Sequence, residues 1–120
     1  MERGELGRLG ETAAARLLER EGYRIVARNV NLLPYGELDI VAEREGVVHF
    51  FEVRTCRVGS PVSPLESLGA AKLRRLRRAV EVYRKRERLE NREYQVALVA
   101  VEVRGDEVVS LEVVPHILEG

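Results

Sequence analysis

The 120-residue chain predicts an α/β domain, a mixed β-sheet flanked by α-helices, and three observations point to it. Apolar residues recur at helical spacing in two segments, one near the start and one past the middle. Between and after them lie runs rich in Val, Ile and Phe, bounded by turn formers, that read as strands. The resulting order is helix, three strands, helix, two strands, and the second helix stands where a crossover to a parallel strand needs one. A chain of this length suits a single domain over 1–120 with one modest core.

The first helix is expected from about Glu5 to Glu21. Leu6, Leu9, Ala13, Ala14, Leu17 and Leu18 share its apolar face, and Gly22 is placed to end it. Tyr23 to Val30 reads as the first strand. Asn31 to Tyr35, with Pro34, is a connector into a hairpin formed by Gly36–Ala42 and Val47–Thr55 around a Glu45-Gly46 turn. The segment from Arg57 to Pro64 is made of turn formers and reads as a mobile loop. A second helix is expected to begin near Pro64 or Leu65 and run to about Arg88, with Leu65, Leu68, Leu76, Val80 and Tyr83 as its stripe. Tyr94–Val103 and Glu107–Val114 are two further strands, joined by a turn at Gly105-Asp106.

The hairpin carries the chemistry. A symmetric two-residue turn sets Asp39 opposite Glu52 and Glu37 opposite Arg54. Both faces are apolar, with Leu38, Ile40, Phe51 and Val53 on one and Val41, Val48 and Phe50 on the other, as in strands covered on both sides. Two facing carboxylates are costly there unless a cation lies between them or one is protonated. The alternative is a solvated pair at a sheet edge. A divalent ion fits the apolar setting better, and oxygen ligands favour Mg²⁺ or Mn²⁺. That chemistry leads to a metal-dependent hydrolase.

Other residue types narrow the function. The single cysteine, Cys56, forbids an intramolecular disulfide and makes a cytoplasmic setting the default. No apolar run is long enough to span a membrane, and the polar start does not resemble a signal peptide. The wealth of Glu and Arg and the scarcity of Asn, Gln, Met and Cys lean towards a heat-adapted protein. His49 and His116 are isolated; His49 falls on the hairpin face opposite the acids and reads as a packed strand residue. Net charge is zero, yet Ala71–Arg92 holds ten basic residues and three acidic ones, so this window carries +7 and the remainder −7. Such polarity suits a molecule that meets a polyanion with one face. A solvated helix with arginines paired to glutamates is the plain alternative.

Three more positions stand near this chemistry. Arg54 emerges on the same face as Glu52, either to neutralise Glu37 or to hold a phosphate. Lys72 lies four residues from both Leu68 and Leu76, so it projects from the packed face of its helix. Glu11 sits at the margin of the first helix's apolar face, where a solvated glutamate is ordinary.

Gly10-Glu11, Gly22-Tyr23, Arg28-Asn29, Gly36-Glu37-Leu38-Asp39-Ile40-Val41 and Phe51-Glu52-Val53-Arg54-Thr55 resemble the YraN family of small uncharacterised bacterial proteins. Lys72 with Leu73-Arg74-Arg75-Leu76 matches its basic helix, and the resemblance runs from about Gly7 to Val101. That family is similar in turn to the PD-(D/E)xK nucleases, archaeal Holliday-junction resolvases in particular. The resemblance implies a restriction-endonuclease-like fold in which Glu11 is the helix acid, Asp39 the motif aspartate and Glu52 the second acid. These three would hold Mg²⁺ or Mn²⁺. Arg54 occupies the place of the usual lysine; it stays charged and cannot act as a general base, although it can stabilise charge.

The expected function is therefore that of a Mg²⁺-dependent endonuclease or DNA-binding protein acting on DNA, branched DNA included. Its catalytic residues would be Asp39, Glu52, Arg54 and Glu11, with DNA contacts from Lys72, Arg74, Arg75 and Arg78. Analogy to junction enzymes suggests a homodimer. The alternatives are a nuclease-like protein that binds nucleic acid without cutting it, and an interaction module whose basic helix meets an acidic protein.

Overall fold

The computed structural model describes residues 3–118, so both ends of the domain expected over 1–120 lie outside the described residues. The elements in chain order are α1 (Arg3–Arg20), β1 (Arg24–Asn31), β2 (Glu37–Arg44), β3 (Val47–Arg57), α2 (Ala70–Arg86), β4 (Tyr94–Arg104) and β5 (Glu107–Val114). The five strands form one sheet whose spatial order repeats the chain order, β1-β2-β3-β4-β5. All neighbours are antiparallel except β3 and β4, which α2 joins as a parallel pair. The mixed sheet flanked by helices is thus as the sequence predicts.

Each face of the sheet has its own core, because each helix brings one apolar stripe. Ala14, Ala15 and Leu18 of α1 pack on Ile40, Ala42, Phe51, Val53 and the odd-numbered valines of β4 from Val99 to Val103. Leu76, Ala79, Val80 and Tyr83 of α2 pack on Leu32, Leu38, Val41, Val48, Phe50 and Val96. His49 is buried, with its ring stacked 5.8 Å from Phe51 and set edge-on to Tyr23 at 4.9 Å. It is a packed strand residue, as its position predicts.

The turn between β2 and β3 puts both Glu45 (φ 53°) and Gly46 (φ 80°) in the left-handed region. This is the geometry of a two-residue hairpin turn whose twist matches the strands. It fixes the expected register over five pairs, from Arg44 opposite Val47 to Ile40 opposite Phe51. There the ladder stops. Beyond Ile40, β2 remains paired with β1 (Val30 with Leu38, Asn31 with Glu37) while it parts from β3. Three expectations fall with the lost ladder. Asp39 and Glu52 lie just past its end and are not a paired, facing couple of the two strands. Leu38 joins the α2 core rather than the face of Ile40 and Phe51, and Arg54 forms its ion pair with Glu52 rather than with Glu37.

The second helix starts later than its periodicity suggests. The hydroxyl of Ser63 accepts a bond from the Glu66 N–H at 3.1 Å, and the Ser67 hydroxyl donates to the Pro64 carbonyl at 2.6 Å. These local bonds close a separate turn. Gly69 then adopts an extended conformation as the residue before α2. Leu65 is left exposed instead of joining the stripe.

Candidate functional site

Where β2 splays from β3 lies a cleft of about 360 Å³, and three elements deliver side chains to it. Asp39 comes from the separating end of β2, Glu52 and Arg54 from β3, and Glu11 from α1. Lys72 reaches the same acids from the first turn of α2. The approach of α1 depends on Gly10. A β-carbon built there would lie 1.8 Å from Thr55 Oγ1 and 2.9 Å from Thr55 Cβ. Only glycine lets the helix backbone rest on β3 at this depth, and the next residue, Glu11, is thereby set at the cleft.

Asp39 does what the missing ladder would have done. Its Oδ2 accepts a hydrogen bond from the Val53 N–H at 2.8 Å, so a side chain replaces a strand carbonyl where the strands part. Glu52 is 3% exposed. Its Oε1 lies 3.5 Å from Lys72 Nζ and 3.8 Å from Arg54 Nε. Its Oε2 is buried with no hydrogen-bond partner, and so is Oε1 of Glu11.

The electrostatics follow from burial and crowding. Burial, then the nearby charge of Asp39, pushes the Glu52 carboxyl up to about 7, although Lys72 and Arg54 pull against the shift. Asp39 is raised by burial in spite of the Val53 N–H and the same two cations. Burial raises Glu11 too, with Asp39 adding to the effect and Arg28 opposing it. Three carboxyls displaced in the same direction in one cleft mark a place where negative charge exceeds its compensation.

The structure therefore brings Glu11, Asp39, Glu52, Arg54 and Lys72 together. Lys72 stands apart from Arg74, Arg75 and Arg78, which are exposed on the outer side of α2. Among the described residues, no three His, Cys, Asp or Glu side chains are close enough to form a ready-made metal cage. The donors present are carboxylate oxygens, two of them orphaned, and that chemistry fits a hard divalent ion better than a soft one. Ser67 and Thr55 also line the cleft. Sequence reasoning passed over both; the Ser-Pro spacing around Ser63 and Pro64 is the one local signal that a structured turn lies there. Cys56 borders the cleft as well, and burial raises the pKa of its thiol, against the opposing pull of Arg54.

Known proteins share most of this chain. A UPF0102 protein of Syntrophotalea carbinolica is 43% identical over 106 residues, covering 88% of this chain and 85% of its own. One from Moorella thermoacetica is 40% identical over 115 residues, 95% of each chain. One from Roseiflexus castenholzii is 39% identical over 120 residues, 98% of this chain and 95% of its own. The family model described as "Uncharacterised protein family UPF0102" matches residues 10–109. That span opens on Gly10 and takes in every acid and cation of the cleft, and the chain belongs to the uncharacterised protein family UPF0102.

Proposed function

We propose that this protein is a Mg²⁺- or Mn²⁺-dependent nuclease that hydrolyses phosphodiester bonds in DNA, including branched DNA. The observation that carries the reading is the mutually repelling pair of half-buried Asp39 and buried Glu52 in an open cleft, with two cations beside Glu52. Asp39 and Glu52 would hold the ion, with Glu11 as a third oxygen donor. When bound, such an ion neutralises a scissile phosphate and makes a water more acidic. Lys72 and Arg54, both beside Glu52, would steady negative charge on the phosphate, and the permanent charge of arginine would limit Arg54 to that role. Where Glu11 does not hold the ion, its unpartnered Oε1 and its carboxyl, raised by burial, would suit it to accept a proton from water.

A second reading, binding without cleavage, has its own support. The two side-chain cations already approach Glu52 Oε1 and partly compensate the acid that an ion would need. One experiment separates the readings. Cleavage and affinity are measured on a four-way DNA junction with Mg²⁺, Mn²⁺ or EDTA, for the natural protein and for Asp39→Asn, Glu52→Gln and Arg54→Lys. A nuclease loses cleavage by at least about 100-fold in the first two variants and keeps its affinity within a few-fold. Arg54→Lys retains or gains activity, because an amine can shift its pKa. Tight binding with no metal-dependent cleavage in any of these proteins selects the second reading.

A further inference from the structure

Beside the basic face of α2 lies a feature that the acids do not explain. Leu33, Pro34 and Tyr35 form the tip of the connector between β1 and β2. Leu33 is 74% exposed and Tyr35 39%; Leu65, Tyr94 and several valines are exposed elsewhere, but here two large side chains share one tip beside a row of arginines. Pro34 and Tyr35 share a groove of about 380 Å³ with Ala71, Arg74, Arg75 and Arg78.

The tip is held firmly. The Leu32 N–H donates to the Gly36 carbonyl at 2.8 Å, and the Tyr35 N–H donates to the Leu32 carbonyl at 2.9 Å. Asn31 Oδ1 accepts from the Leu33 N–H at 3.0 Å, and the Leu32 side chain is anchored in the α2 core. Gly36, at φ 137°, lets the turn close against α2, where its β-carbon position is 3.8 Å from the Arg75 carbonyl. Tyr35 is therefore presented on a rigid support and is not left over from a loose loop. Its ring is also lightly engaged. The Arg78 guanidinium carbon stands 5.6 Å from the ring centroid, whereas the stacked pairs Arg44–Tyr23 and Arg84–Tyr94 close to 4.1 and 4.0 Å.

We propose that Tyr35 and its apolar tip, flanked by Arg74, Arg75 and Arg78, form a stacking platform for an unpaired base of a nucleic-acid strand. An accessible aromatic face beside a cluster of guanidiniums is what single strands require, because every base has a face to stack and every nucleotide a phosphate to neutralise. A base in an intact duplex keeps its faces against its neighbours, so the platform selects strands opened at a gap, flap or branch. It deepens the nucleic-acid reading of this protein and rests on it. Asp39 follows Tyr35 by four residues, at most about 14 Å of extended chain, so a base held here sets a strand beside the cleft.

The test uses DNA carrying 2-aminopurine as a single strand, at a gap in a duplex, or within a fully paired duplex. Binding is measured in EDTA for the whole protein, Tyr35→Phe, Tyr35→Ala and Arg74→Ala/Arg75→Ala/Arg78→Ala. The natural protein and Tyr35→Phe are expected to quench the probe in the single strand and at the gap. Tyr35→Ala should lose that quenching and about 5- to 150-fold of affinity for unpaired DNA, with duplex affinity unchanged. The triple variant should weaken binding to all three. The proposal is overturned if Tyr35→Ala binds unpaired DNA as well as the natural protein, or if it loses duplex and single strand equally. It is also overturned if polyglutamate displaces the single strand as effectively as unlabelled DNA does, since the groove then fits an acidic protein. None of these arms requires cleavage, so failure of the nuclease reading through inactive Asp39 and Glu52 chemistry leaves a different trace.

Discussion

Glu52 shows how a single residue can tie stability to the site. Its folded pKa of about 7 lies above the ordinary value of 4.5, so folding favours the protonated form. The favourable contribution is fully present below pH 4.5 and is lost as pH rises through about 7. Asp39 and Glu11 are raised too and act in the same direction. In EDTA, the melting temperature of the natural protein should therefore fall between pH 5 and pH 8, and Glu52→Gln should flatten much of that fall. A scan by circular dichroism at several pH values checks this. An equally steep fall in Glu52→Gln would mean that Lys72 and Arg54 already compensate the carboxylate. Asp39 carries the complementary lesson about reading residues from sequence. Its nearness to Glu52 follows from the two-residue turn, but the parting of the strands at Asp39 and its bond to the Val53 N–H do not, because no local pattern announces that a side chain will replace a strand carbonyl.

At the scale of elements, α1 is positioned by one absent methyl group. Gly10→Ala would push a β-carbon into Thr55 and force α1 away from β3, at a cost of about 1–3 kcal/mol. Glu11 would retreat from the cleft with the helix. Thr55→Ala in the same chain removes the two side-chain atoms nearest or near the clash, Oγ1 and Cγ2, and should restore part of the loss. Denaturant titration of the two single variants and the double variant measures that coupling, and strict additivity would show that the helix does not rest on Thr55. The elements themselves were largely legible. Apolar spacing located α1 and most of α2, and β5 matches its expected bounds of Glu107 and Val114. Where reading failed, local hydrogen bonds had overruled periodicity. Ser63 and Ser67 closed a turn that detached Leu65 from α2, and the end of the β2–β3 ladder sent Leu38 to the other core. The Tyr35 groove was hidden for another reason, since it forms only where α2 lies against a turn distant in sequence.

For the whole molecule, the uneven charge means that affinity for DNA should depend on salt although net charge is zero. If Arg74, Arg75 and Arg78 each neutralise a phosphate, changing all three to Ala should reduce the steepness of log affinity against log salt by about 2–3 on duplex DNA. An unchanged slope would assign these arginines to plain solvation. No helix among the described residues is long and apolar enough to cross a membrane. The sheet itself, in which space repeats chain order, also implies a history. Strands that are neighbours in sequence can pair as hairpins early, while β4 must wait for α2 to carry the chain across. Ile40→Val, within the first hairpin, should therefore slow refolding, whereas Val80→Ala, on α2, should mainly hasten unfolding. Stopped-flow chevrons distinguish the two, and the reverse assignment would place α2 in the nucleus. On that order of events, Asp39 and Glu52 come together before Lys72 arrives, so the nascent hairpin passes through a moment when its two acids are neighbours with no ammonium beside them. A protein folding in acid, where these carboxyls are protonated, should cross that stage faster than one folding at pH 8.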